Sequence, residues 1–186
     1  GFRWYSQYPP GHSALLSMGV LVRAAWLVPV ALSLGTAAFL FGFSRRVYDT
    51  ATARVTVMLL AVAPFFWFMG ASHMNHVSAL FFVSPFLYAL AAWDEQGGWW
   101  RLLGAGLAIG AAFLSRPLTA VAVGLAMAPF VLHTAWRNRD ARSIAAAAAG
   151  CLMAVLAYLA YNAATTGDPL LPGYMKLWGV DHGLGF

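Results

Sequence analysis

Charge is scarce in this chain, and negative charge most of all. Six acidic residues stand against eleven basic ones among 186, and charged residues make up 9% of the total. A soluble domain carries about 25%, so this composition cannot cover a water-facing surface. With 61% hydrophobic residues and a mean hydropathy of +0.70, the class that remains is an integral membrane protein. Cysteine is nearly absent. Cys151 stands alone, can form no internal disulfide, and reads as a small hydrophobe in the apolar run 145–161. Cysteine usage therefore assigns no compartment. Lysine occurs once, at Lys176, and no acidic residue precedes Asp49. The net charge of +5 could suggest nucleic acid. The arginines, however, gather in short loops between apolar runs, which is how membrane helices are oriented. Aromatic–basic stripes and nucleic-acid motifs are missing, so nucleic acid is excluded as a partner.

What is there is a series of apolar runs. A spanning helix needs about 20 mostly apolar residues. The run 13–43 is too long for one straight span and contains Arg23 and Pro29. It divides into an interfacial or re-entrant helix over 13–22 and a span over 26–43. Further spans are predicted over 55–71 (interrupted by Pro64), 77–93 (carrying Pro85), 101–114 (short and Gly-rich), 117–136 and 144–161. The predicted fold is all-α: a polytopic transmembrane helix bundle of about six spans plus a short interfacial helix. It forms a single domain over 1–186, with loops at 1–12 and 162–186 flanking the bundle at 13–161. Both ends read as cut from a longer protein. Gly106 and Gly110, spaced as small-xxx-small, and the alanine run 145–149 predict close helix packing.

The connections alternate in character. Arg45, Arg46, Arg54, Arg101, Arg137, Arg139 and Arg142 fall on one side, and Arg3, Arg23, Arg116 and Lys176 on the other. The side richer in basic residues faces the cytoplasm. The N-terminal segment, the turn at 73–76, the junction at 115–117 and the C-terminal loop then share the outer face. Arginine in place of lysine, with many alanines, matches a high-GC bacterium, and the expected location is a bacterial inner membrane with the outer face toward the periplasm or exterior.

Against that frame Arg116 stands out, a lone charge within Leu114-Ser115-Arg116-Pro117 between two apolar runs. A charge at a helix end on the wrong side for orientation points to an anionic ligand; the other reading is an arginine bonding a helix-end carbonyl or snorkelling to headgroups. Lys176 and Arg3 are further candidates for the anion, and Arg23 reads as an interfacial anchor. Two prolines and a glycine in Tyr8-Pro9-Pro10-Gly11-His12 predict a rigid, non-helical turn. Tyr8 and Trp4 suit the headgroup level. His73 and His76 are spaced three apart, as on one helical face, but two ligands do not make a metal site. They, with Asn75, read either as interface caps or as substrate contacts. Asp168 and Asp181-His182 supply the outer-face acidic groups, as solvated loop residues or as acceptor contacts.

These pieces, in order, resemble the C-type membrane glycosyltransferases, in the branch of the protein O-mannosyltransferases and aminoarabinose transferases often called family 39. Tyr8-Pro9-Pro10-Gly11-His12 before an apolar helix resembles the family's extracytoplasmic loop. Residues 64–73, ending in Ser72-His73, resemble its apolar helix closing at the outer face. Ser115-Arg116-Pro117 resembles its Arg-Pro junction, and Tyr161-Asn162 with Thr166-Gly167-Asp168-Pro169 its exit from the membrane. The resemblance implies transfer of a sugar from a polyprenyl-phosphate lipid to a protein or glycolipid acceptor at the outer face. It also implies a catalytic carboxylate in the first outer loop. No acidic residue of this sequence occupies such a place, so the base is expected upstream of Gly1 and the catalytic residue stays unassigned. Substrate binding is expected from Arg116, Tyr8, His12, His73, His76, Lys176 and Asp168. No cofactor is assigned, and a divalent metal stays open. The rival class is a transporter or flippase for a lipid-linked or amphiphilic substrate, which would set ionisable groups near the midplane and show inverted repeats.

Overall fold

The computed structural model describes residues 6–179, and every regular element among them is a helix. The order is α1 (Pro10–Leu21), α2 (Leu27–Val47), α3 (Thr50–Val62), α4 (Pro64–Gly70), α5 (His76–Gln96), α6 (Trp99–Ser115), α7 (Pro117–Asn138), α8 (Ala141–Thr166) and α9 (Gly173–Trp178). The chain forms the polytopic helical bundle that its apolar runs predict. Helices α2, α5, α7 and α8 are long and apolar enough to cross a membrane. The pair α3 and α4 makes a fifth span if its two parts are read together. Helix α6 has 17 residues, about 26 Å at the α-helical rise. It is the interior helix of the bundle: Leu102, Ala105 and Ala112 have 0 or 1% of their surface exposed.

Proline decides where several helices begin and bend. Pro64 has no N–H to donate and biases the residue before it toward extended backbone. Ala63 is accordingly extended, and the axis turns by 68° between α3 and α4. The carbonyl of Ala61, near the end of α3, accepts a bond from Trp67 Nε1 at 2.5 Å. Helix α4 presents Phe65, Trp67 and Phe68 outward, 63–69% exposed.

At the N-terminal end the structure corrects the sequence reading. Pro9-Pro10-Gly11 does not exclude a helix. Pro10 takes the first position of α1, where a missing N–H costs nothing, so His12 is a helical residue. The far loop is also more ordered than expected: α8 runs on to Thr166, and α9 follows.

Glycine sets the closest contact in the bundle. A Cβ placed on Gly106 would lie 2.2 Å from the carbonyl oxygen of Ala147, and one on Gly150 would lie 2.7 Å from the Leu107 nitrogen. Here the backbones of α6 and α8 touch, as the small-residue spacing predicts. The seam continues upward in register. A Cβ on Gly110 would meet Ala154 Cβ at 2.7 Å, and one turn further the rings of Phe113 and Tyr158 meet edge to face at 5.3 Å. The register thus carries the end of α8 to the level of the α6–α7 junction.

The charged loops collect at one end. Arg46 of α2 pairs with Glu95 of α5 at 2.5 Å and stacks on Tyr88. Arg137 lies 3.8 Å from Asp94. Asp140 caps α8 by accepting from Ser143 N at 3.1 Å and also takes Trp93 Nε1 at 3.2 Å. Arg142 lies over Trp99, and Asp49 caps α3 through Thr52 N.

Candidate functional site

The opposite end holds a cleft of about 500 Å³, formed where α1, the α4–α5 turn, the α6–α7 junction and the ends of α8 and α9 converge. Arg116 lines it from the junction of two helices, as both the C-cap of α6 and the N-cap of α7. Pro117 explains this. A residue before proline is pushed out of the helical region, and Arg116 is extended at φ −147°, ψ 91°. Its backbone is nevertheless fully used, with N donating to Ala112 O at 2.7 Å and O accepting from Ala120 N at 3.1 Å. The half-buried guanidinium forms no hydrogen bond or ion pair with any described residue. Its charge acts on His76.

His76 is the first residue of α5. Its Nδ1 is buried and has no hydrogen-bond partner among the described residues, which is uncommon for a buried polar atom. Next to it, Asn75 Nδ2 donates to the Ser115 carbonyl at 3.3 Å and ties the turn to the α6–α7 junction. His12 enters from α1. Its Nε2 donates to the His73 carbonyl at 2.7 Å and its Nδ1 lies 3.1 Å from Ser78 Oγ. Burial pushes the His12 imidazole below its ordinary range, against the opposing pull of the His73 carbonyl, with the nearby His73 ring adding to the lowering.

Six of the residues singled out in the sequence therefore line one cleft: Tyr8, His12, His73, Asn75, His76 and Arg116. Lys176 and Asp168 do not line it. Lys176 Nζ donates to the Thr166 carbonyl at 2.5 Å, at the end of α8. The Asp168 carboxylate accepts from Leu170 N at 2.8 Å within the α8–α9 turn. Arg23 lies exposed in the α1–α2 connection with a left-handed φ of 56°. Arg3, Trp4, Asp181 and His182 fall outside the described residues. The helical spacing read between His73 and His76 does not apply, because α5 starts at His76 and His73 belongs to the turn before it. Among the described residues no three His, Cys, Asp or Glu side chains come together to hold a metal ion.

Sequence reasoning missed Tyr158 and Tyr174 as cleft residues and used Tyr161 and Asn162 only as a motif. The signal was present in α8: Tyr158, Tyr161 and Asn162 stand at i, i+3 and i+4, a polar stripe at the end of an apolar helix. No such pattern marks Tyr174. Chemically, the cleft offers one uncommitted cation, imidazole and amide groups, and four tyrosines. It suits an anionic ligand with a hydroxyl-rich portion. Among the described residues it offers no carboxylate.

The model of the dolichyl-phosphate-mannose-protein mannosyltransferase family matches residues 8–170 of this chain. No curated protein and no solved structure matches it. The matched region reaches from Tyr8, on the rim of the cleft, to the turn beyond α8.

Proposed function

Because the chain belongs to the dolichyl-phosphate-mannose-protein mannosyltransferase family and is an integral membrane glycosyltransferase by that membership, we propose that its cleft binds a polyprenyl-phosphate-linked sugar. The sugar passes to a protein or glycolipid acceptor at the extracytoplasmic face, the face of the cleft end, in a bacterial inner membrane. Arg116 grips the lipid phosphate. The acceptor oxygen attacks the anomeric carbon, the bond from that carbon to the phosphate oxygen breaks, and the phosphate leaves with the electron pair. A guanidinium fixed beside it offsets the growing charge. The acceptor proton goes to a carboxylate from outside the described residues, since a base of that kind is what the displacement needs. Tyr8, His73 and His76 contact the bound molecule around the phosphate. For Lys176 and Asp168 the proposed part is indirect: they shape the α8–α9 turn that carries Tyr174 to the rim.

The observation that carries this reading is Arg116 itself, a half-buried cation in a cleft with no acidic partner among the described residues. At the other end Arg46 and Arg137 are matched by Glu95 and Asp94. The charge pattern also bears on the rival class, because the ionisable groups gather at the two ends of the bundle. The test is transfer from dolichyl-phosphate mannose by the complete protein in nanodiscs. Arg116→Ala should insert normally and lose about 100-fold or more in turnover, the scale of removing one preorganised donor to a developing anion. Unchanged turnover would remove Arg116 from the mechanism.

A further inference from the structure

The bonds around His12 lead past the ligand-facing groups to what holds them in place. His12 is 6% exposed and joins three pieces of chain. A carbonyl only accepts, so the ring nitrogen 2.7 Å from the His73 oxygen carries a proton. On a neutral ring Nδ1 is then an acceptor, and the Ser78 hydroxyl is its donor. Ser78 Oγ also lies 3.0 Å from the Asn75 carbonyl. That carbonyl also accepts the Ala79 N–H at 3.1 Å, and its second lone pair faces the Ser78 hydroxyl, whose one proton is shared between the carbonyl and His12 Nδ1. The ring therefore grips the α4–α5 turn at both ends, at His73 and at Ser78. Between them Asn75 reaches across to the Ser115 carbonyl, the residue before Arg116. The residue before His12 closes the circuit: a Cβ on Gly11 would lie 2.7 Å from the Leu114 carbonyl carbon and 2.7 Å from Ser115 Oγ.

We propose that His12 is a positioning residue, whose ring locks the α4–α5 turn onto α1 and, through Asn75, fixes the Ser115–Arg116 junction and the aim of the guanidinium. The consequence for catalysis rests on the reading of Arg116 as the phosphate-binding group; the clamp itself does not. His12 touches the turn and not the reacting atoms, so its loss acts on donor capture more than on the chemical step.

The complete protein in nanodiscs tests this with amide hydrogen exchange over residues 71–79 and 112–118, together with KM and kcat for dolichyl-phosphate mannose. His12→Ala should speed exchange in both segments by roughly tenfold, the effect of losing about one net hydrogen bond. It should leave 137–143 unchanged and raise KM more than it lowers kcat. His12→Gln, whose amide N–H can still reach the His73 carbonyl, should restore slow exchange and KM. Ser78→Ala removes one partner and should give a smaller rise over 71–79, a readout that stands even where His12→Ala does not fold. Exchange over 71–79 that stays at the wild-type rate in Ser78→Ala and His12→Ala overturns the proposal, as does loosening that His12→Gln leaves unrepaired. Loosening with rescue, combined with normal transfer by Arg116→Ala, keeps the clamp and overturns the phosphate reading instead.

Discussion

Gly106 and Ala147 bring two helices into backbone contact: the Gly106 Cα faces the Ala147 carbonyl so closely that a methyl group would sit 2.2 Å from the oxygen. Side chains cannot yield here, because the obstacle is main chain. Gly106→Ala should therefore force α6 and α8 apart and cost about 1–3 kcal/mol or more, the usual range for overpacking. A thermal melt in detergent should show the loss. The Phe113–Tyr158 ring contact two turns along should loosen with it, visible as faster exchange at the end of α8.

Gly11 is the corresponding point at the cleft. A methyl there meets the Leu114 carbonyl carbon and Ser115 Oγ, both at 2.7 Å. Gly11→Ala should push α1 away from the α6–α7 junction and raise KM for the donor, while the Tm falls by only a few degrees. A wild-type KM in this variant would show that α1 does not set the geometry around Arg116.

Asp140 governs the other end. It accepts from the Ser143 hydroxyl, from Ser143 N and from Trp93 Nε1. The Ser143 hydroxyl leads in holding the carboxyl below its ordinary 3.8. A depressed carboxylate contributes stability that is fully present above pH 3.8 and lost as pH falls through the lower folded value. Asp140→Ala should cost about 1–2 kcal/mol at neutral pH, the loss of a helix cap. The gap between mutant and wild type should close in strong acid, as read from thermal melts at several pH values.

His12 gives the opposite end a pH dependence in a milder range. Burial, followed by the His73 charge, places its folded value below 6.5. Above pH 6.5 both folded and unfolded states hold a neutral ring and stability is unaffected. As pH falls from 6.5 toward the folded value, the unfolded chain takes up the proton first and stability is lost. The titratable groups that share its cleft are Tyr8, His73 from the turn, His76 from α5, Arg116 from the junction and the tyrosines of α8 and α9. Melting from pH 8 to pH 5 should show a decline in wild type that is shallower in His12→Gln.

Much of this architecture could be read from the residues, and the failures have physical causes. The apolar runs gave helices at nearly the observed positions, because hydropathy over 20 residues is a strong signal. The segregation of arginines anticipated the paired cluster of Arg46, Glu95, Asp94 and Arg137. Gly106 and Gly110 anticipated the α6–α8 seam. Proline was the weaker guide: Pro10 starts a helix and Pro64 bends one, two outcomes set by its position within the element. The cleft was half legible. Arg116, Tyr8, His12, His73 and His76 are polar residues at the edges of apolar runs and so drew notice. Tyr174 lies in a helix too short to show a period, and although Tyr158 shares a polar stripe of α8 with Tyr161 and Asn162, its place beside the junction follows from the α6–α8 seam in three dimensions. That Lys176 turns to the end of α8 depends on α9, whose six residues carry no periodic signal.

The bend at Pro64 turns α4 68° away from the line of α3. Beyond it α4 is a short foot bearing Phe65, Trp67 and Phe68 on its open side. The foot ends directly at the turn that His12 clamps. A substitution at Pro64 that straightened α3 and α4 into one helix would therefore move those three rings and, with them, the turn that leads into the cleft.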